Sequence, residues 1–135
     1  MKFGRYEIIG ELGRGSMGVV FKARDPVIGR LVAVKSIPET AGIPADKREE
    51  FVKRLRQEAM TAGRLSHPNI VTIFDVGETE DGPFIAMEYL DGVTLRDVIS
   101  SGKKVSMQQL IEIVAQVSEG LDYAHSKAID RKSVV

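Results

Sequence analysis

The stretch "ELGRGSMGVVFKARD", Glu11 to Asp25, carries three glycines, Gly13, Gly15 and Gly18, in a G-x-G-x-x-G spacing. Glycines so spaced let backbone N–H groups close around a phosphate, because no Cβ stands in the way. Two unrelated architectures use the pattern, a turn that opens directly into a helix and a loop that joins two strands. The residues after the glycines separate them. "VVFKARDP" is β-branched, alternating and stopped by Pro26, so no helix fits between Gly18 and the strand expected from about Arg30. A dinucleotide-type turn needs its helix to begin at the loop, where the N-terminal dipole meets the anion, and that reading fails here. Glu39, near where an acidic ribose ligand would be sought, is a coincidence of spacing.

Outward from this loop, three short strands are expected at about 5–12, 18–24 and 30–37, with "DPVIGR" as the second turn. From Asp46 to about Leu65 the pattern becomes helical, with Phe51, Leu55, Ala62 and Leu65 on one stripe. Pro68 biases His67 away from helical angles and ends that segment. Two more strands follow at about 70–77 and 83–90, joined by a turn at Glu80, Asp81 and Gly82. "DGVTLRDVISSG" reads as a turn and a short helix. Ser106 and Gln109 then form a capping box that starts a long helix with Met107, Leu110, Ile111, Val114, Val117 and Leu121 on one face.

Two charges sit where apolar residues are expected. In "RLVAVKSIP" the period of two places Ala33, Lys35 and Ile37 on one face and Val32, Val34 and Ser36 on the other, so Lys35 is embedded among apolar neighbours. On the helix, the stripe Phe51, Leu55, Glu58, Ala62, Leu65 puts a carboxylate at an inward position. The two misplaced charges explain each other if they meet, which is a mark of function more than of stability.

The 135 residues suffice for one core without disulfides or metals. The absence of cysteine fits a reducing compartment and excludes thiolate metal sites. Nineteen Lys and Arg balance nineteen Asp and Glu, so no global field recruits nucleic acid or anionic lipid. The run Lys53, Arg54, Arg56, interleaved with Glu49, Glu50 and Glu58, reads as a solvated helix face. No apolar run approaches the roughly 18 residues of a membrane span, and the first residues lack a signal-peptide core. A cytoplasmic protein is expected.

The blocks "LGRGSMGVV", "VAVK", "REEFVKRLRQEA", "LSHPNIV" and "MEYLDGVTLRDVI" together make the chain resemble a Ser/Thr protein kinase of the bacterial eukaryotic-like branch, over about residues 5–126. The resemblance implies an α+β fold: a kinase N-lobe with a five-stranded antiparallel sheet and helix C (1–90), two helices of the large-lobe type after a hinge (91–126), and an atypical tail (127–135). It implies ATP as ligand. Gly13, Gly15 and Gly18 would form the lid over the triphosphate, with Ser16 and Met17 at its tip, Lys35 would hold the α- and β-phosphates, and Glu58 would orient Lys35. Leu12, Val20 and Ala33 would sandwich the adenine beside Met87, the gatekeeper. Glu88 and Leu90 would contribute hinge backbone groups, and Thr94 would fall near the ribose. His67 and His125 are given structural places, and no metal ligand set is expected.

After "LDYAHSK" the family continues into an H-R-D catalytic loop, a magnesium-holding asparagine, and later D-F-G and A-P-E. This sequence reads "AIDRKSVV" there. Phosphoryl transfer rests on positioning and charge neutralisation that those residues and magnesium supply, so the polypeptide alone is expected to be inactive. A half-enzyme completed in trans, and an assembly module that ignores nucleotide, are the alternatives. Without a large lobe around it, the stripe Leu110, Ile111, Val114, Val117, Leu121 is expected to drive homo-oligomerisation.

Overall fold

The computed structural model describes residues 2–15, 18–37, 44–80 and 82–129. Two compact units emerge, Met1–Arg64 with Val71–Tyr89, and Leu65–Ile70 with Leu90–Val135.

The first unit is an antiparallel sheet with one helix. Its strands are β1 (Lys2–Phe3), β2 (Tyr6–Gly15), β3 (Gly18–Asp25), β4 (Arg30–Ser36), β5 (Ile73–Thr79) and β6 (Gly82–Glu88), hydrogen-bonded in the order β1-β2-β3-β4-β6-β5. Five strands were expected and six are found. The addition, β1, pairs Lys2 with Glu7 and Phe3 with Tyr6 around Gly4, whose φ of +57° makes the tight turn. Two residues are too few to show a period, which is why the strand is silent in the sequence.

Register fixes which residues share a face. Cross-strand rows run Ala23–Val32–Glu88, Phe21–Val34–Ala86 and Val19–Ser36–Phe84 on one side. This side holds the core of Phe3, Tyr6, Ala23, Val32, Val34, Phe84 and Ala86. Rings interlock there, with Phe3 5.8 Å and Tyr6 6.0 Å from Phe84, both edge-on. The sheet curls far enough for the Tyr6 hydroxyl to donate to Asp75 on the opposite edge strand at 3.3 Å. Burial pushes the Tyr6 phenol above its usual range, and the Asp75 carboxylate pushes the same way.

One charge belongs to this core. Asp25 is fully buried at the β3–β4 turn, where its Oδ1 accepts from the Val27 N–H at 3.0 Å and its Oδ2 lies 3.1 Å from Arg5 Nη2. The second contact is an ion pair without hydrogen-bond alignment. Gly29, at φ +77°, closes the turn by donating to the Asp25 carbonyl at 2.7 Å.

Helix α1 (Arg48–Gly63) follows a 3-10 turn at Ala45–Lys47 and packs against β5. Its inward residues are Val52, Leu55, Ala59 and Ala62, one step round from the expected stripe. Glu58 is exposed. The expected inward Glu58 is therefore corrected: spacings of three, four and three starting at Val52 give a wholly apolar stripe, whereas starting at Phe51 would bury a carboxylate.

In the second unit, α2 (Leu95–Ser100) and α3 (Met107–Ala124) each begin with a capping box, Thr94 with Asp97 and Ser106 with Gln109. The segment 65–70 packs on α3. The His67 ring lies 5.0 Å from that of Tyr123, Asn69 Nδ2 donates to the Gln116 carbonyl at 3.1 Å, and a Cβ on Gly120 would stand 3.3 Å from the Asn69 carbonyl. The expected apolar stripe of α3 is exposed, from 46% at Leu110 to 71% at Met107.

Gly77 sits against the core ring of Phe84, whose Cε1 would lie 2.6 Å from an added Cβ. Gly77→Ala is expected to cost about 1–3 kcal/mol through overpacking, read as a lower urea midpoint at unchanged m-value. Stability equal to the parent's would show that the Phe84 ring is not locked there.

Candidate functional site

The sheet face opposite the core collects the residues singled out in the sequence. One row runs Gly13–Val20–Lys35–Ile85–Val76 and the next runs Gly10–Lys22–Ala33–Met87–Ile73. Val20, Ala33, Lys35 and Met87 therefore stand on one surface, as the period of two requires. Ala33 is 6% exposed, and Val20, Lys35 and Met87 are half-buried. The arrangement is an apolar floor with one ammonium.

The glycine stretch forms a hairpin. Gly15 pairs with Gly18, and the chain continues into β3 with no helix. Gly18, at φ +131°, occupies a conformation that side chains disfavour. A Cβ at Gly13 or Gly15 would meet nothing within 4 Å, so these glycines leave open space. Ser16 and Met17, the expected tip, lie outside the described residues.

Two irregularities shape β2. Register shifts leave Ile9 and Leu12 unpaired, and both side chains are exposed. Such bulges bend and twist a strand, here just before the glycines. The second also explains an ion pair. Residues three apart on a regular strand face opposite ways, but with Leu12 bulged out Glu11 and Arg14, opposite Phe21 and Val19, share one face, and Arg14 Nη2 meets Glu11 Oε1 at 2.6 Å.

No ion pair joins Lys35 to Glu58 among the described residues. Lys35 is half-buried between Val20 and Ile85 in its row, and Glu58 lies exposed on α1. The expected meeting of these charges is absent because α1 turns Val52 and Ala59 inward instead.

The chain beyond Met87 is held firmly. Glu88 N–H donates to the Thr72 carbonyl at 2.8 Å, and Thr72 N–H donates to Glu88 Oε1 at 3.2 Å. Lys22 places its Nζ 5.0 Å from the centroid of the Tyr89 ring. In the second unit, Leu90 is exposed, and the Thr94 hydroxyl accepts from the Asp97 N–H at 3.0 Å as the helix cap. Lys22 and Ile85 were not singled out in the sequence, although counting by two from Val20 and Met87 reaches both.

Among the described residues, no three His, Asp or Glu side chains gather in a way that could hold a metal ion. The donor set does not fit magnesium by itself. It fits a nucleotide better: an apolar surface for a flat ring beside a cation for phosphate. No helix of the described residues is long and apolar enough to cross a membrane.

A protein kinase domain model matches residues 6–130. Similar curated proteins include the serine/threonine-protein kinase PknB of Mycobacterium leprae, 41% identical over 134 residues that take in 96% of this chain and 21% of that protein. A probable serine/threonine-protein kinase of Streptomyces coelicolor is 38% identical over 135 residues, 97% of this chain and 20% of that protein. Among solved structures, the PknI kinase domain of Mycobacterium tuberculosis matches with a TM-score of 0.77 at 30% identity, over 93% of this chain and 49% of that one. The chain thus spans about a fifth of these curated relatives and about half of the solved domain.

An exposed carboxylate with no ion partner among the described residues contributes little to folding. Glu58→Gln is expected to change the unfolding free energy by less than about 0.5 kcal/mol in urea titration, and its effect should add to that of Lys35→Met. A loss above about 1 kcal/mol, or clear non-additivity, would mean that the two charges are paired in solution.

Proposed function

Because this chain belongs to the protein kinase domain family, we propose that it is the ATP-holding part of a bacterial Ser/Thr kinase, whose complete reaction moves the γ-phosphate of ATP to a protein hydroxyl. The observation that carries this reading is the single face of the sheet that unites Gly13, Val20, Ala33, Lys35 and Met87.

Each residue then has a physical task. Val20 and Ala33, with Leu12 at the bulge, offer small or branched apolar surface to the adenine ring, and Met87 bounds it. As in the family, the backbone C=O of Glu88 and N–H of Leu90 would read the base edge, and Thr94 would serve the ribose. Lys35, with no carboxylate paired to it among the described residues, takes the phosphates as its counter-charge. The hairpin of Gly13, Gly15 and Gly18, with Ser16 and Met17 at its tip, covers them with backbone N–H groups. Glu58 orients Lys35 once α1 turns. Magnesium belongs to the reaction of the complete domain, and the residues that would hold it are not in this sequence. The absence of cysteine agrees with a cytoplasmic, reducing setting.

Tested as the 135-residue polypeptide, the protein binds nucleotide and transfers no phosphate, since its sequence offers neither the H-R-D aspartate nor the D-F-G aspartate. Calorimetry with ATP, with and without magnesium, should detect binding that weakens about 10- to 100-fold in Lys35→Ala, the range for losing one charge-assisted contact. No binding would favour an assembly module that ignores nucleotide. Radiolabel transfer to a generic acceptor, lost in Lys35→Ala, would refute the inactivity.

The stripe of α3 supports a second property, self-association. Leu110, Ile111, Val114, Val117 and Leu121 are all about half exposed or more, and burying such side chains is worth roughly 1.5–3 kcal/mol each. A second copy offers an identical face, and a symmetric dimer covers both. Light scattering should report a dimer or larger species, and Val114→Glu with Val117→Glu should return it to monomer. A monomeric parent at high concentration rejects the idea.

A further inference from the structure

We infer that Lys22 and Tyr89 form a clamp that positions the segment after β6 for reading the nucleotide base, making both residues determinants of adenine selectivity. This rests on the nucleotide reading above and deepens it.

Lys22 stands on the ligand face in the row Lys22–Ala33–Met87, with only the methyl of Ala33 between it and β6. Its Nζ lies 5.0 Å from the Tyr89 ring centroid, within the roughly 6 Å over which an ammonium is attracted to a ring face. No carboxylate pairs with Lys22 among the described residues, so the ring is its recorded partner.

Tyr89 separates Glu88 from Leu90, the residues whose backbone groups would meet the base. Peptide planes are rigid, so fixing the Tyr89 ring restrains the peptide on either side of its Cα. The restraint is two-sided: Thr72, just before β5, holds Glu88 through two hydrogen bonds, and Lys22 on β3 holds the next residue. Adenine presents an amino donor and a ring acceptor where guanine presents an oxo acceptor and an N–H donor. Backbone groups held in place discriminate these edges, and loosened ones do so less, so losing the clamp erodes base selection before it touches phosphate binding.

The test is calorimetric binding of ATP, GTP and inorganic tripolyphosphate to the 135-residue chain and its variants. Lys22→Met keeps the stem and removes the charge; Tyr89→Leu removes the ring. Each should weaken ATP about fivefold, the double variant should be no worse than either single one, and the ATP-to-GTP preference should fall while tripolyphosphate binding holds. Lys22→Arg and Tyr89→Phe, which keep a cation and a ring, should retain the parent's preference. Parent-like ATP affinity and selectivity in folded Lys22→Met, additive losses, or equal losses on tripolyphosphate would each overturn the inference while leaving the nucleotide reading standing. A parent chain that binds no ATP overturns both.

Discussion

The register between β3, β4 and β6 is the constraint on which the rest of the molecule depends. A strand has two faces, and pairing Val20 with Lys35 and Lys35 with Ile85 decides which residues of each strand go where. Sliding β4 by one residue would carry Val32 and Val34 out of the core and turn Lys35 into it. The first change forfeits roughly 1.5–3 kcal/mol per valine, and the second buries an ammonium among Phe21, Phe84 and Ala86 at a cost of several kcal/mol more. Both penalties act in the same direction. The apolar core is therefore what holds the cation on the opposite face, and core and site are two outcomes of one pairing.

This explains why some features were legible in the sequence and others were not. The alternation in "RLVAVKSIP" was readable because one face of the sheet is buried and the other carries a charge, so the period of two leaves a mark. The glycine hairpin was readable because proline and β-branched residues excluded a helix after it. The bulges at Ile9 and Leu12 left no such mark, since an unpaired residue in a strand looks locally like any other. Strand β1 needed Tyr6 and Glu7 as partners before it existed at all. On α1, two candidate stripes share Leu55 and Ala62 and differ by one residue elsewhere. Choosing between them required knowing that β5 packs alongside, which no local period contains.

The second unit shows the opposite balance. Its helix starts are written locally, because a cap satisfies N–H groups within three residues of itself, and Ser106 with Gln109 announces the long helix without help from elsewhere. Its packing is not local. The segment 65–70 belongs with α3 although Asn69 and Gln116 stand 47 positions apart, through the Asn69–Gln116 hydrogen bond of 3.1 Å and the tilted contact of the His67 and Tyr123 rings. Gly120 permits that approach, since a side chain there would press on the Asn69 carbonyl. A histidine that invites a catalytic reading is thus engaged: its Nδ1 accepts from the Asn69 N–H at 3.1 Å.

The unpaired Lys35 and Glu58 pose a question of magnitudes. Bringing Glu58 round to Lys35 means rotating α1, which takes Val52 and Ala59 out of their buried, inward positions. The valine alone is worth roughly 1.5–3 kcal/mol of burial, whereas a partly exposed ion pair returns about 0–1 kcal/mol. Apolar burial wins, and the helix rests with its carboxylate in water. Phosphate on Lys35 alters the terms. It adds negative charge beside the ammonium, excludes water and lowers the local dielectric, so each remaining charge contact strengthens. Yet that same negative charge repels Glu58. A turn of α1 toward the site therefore requires further cations, or a second surface pressing on the exposed side of the helix. The sheet face is built in advance of its ligand, and the helix is the part whose position the ligand and its neighbours have left to decide.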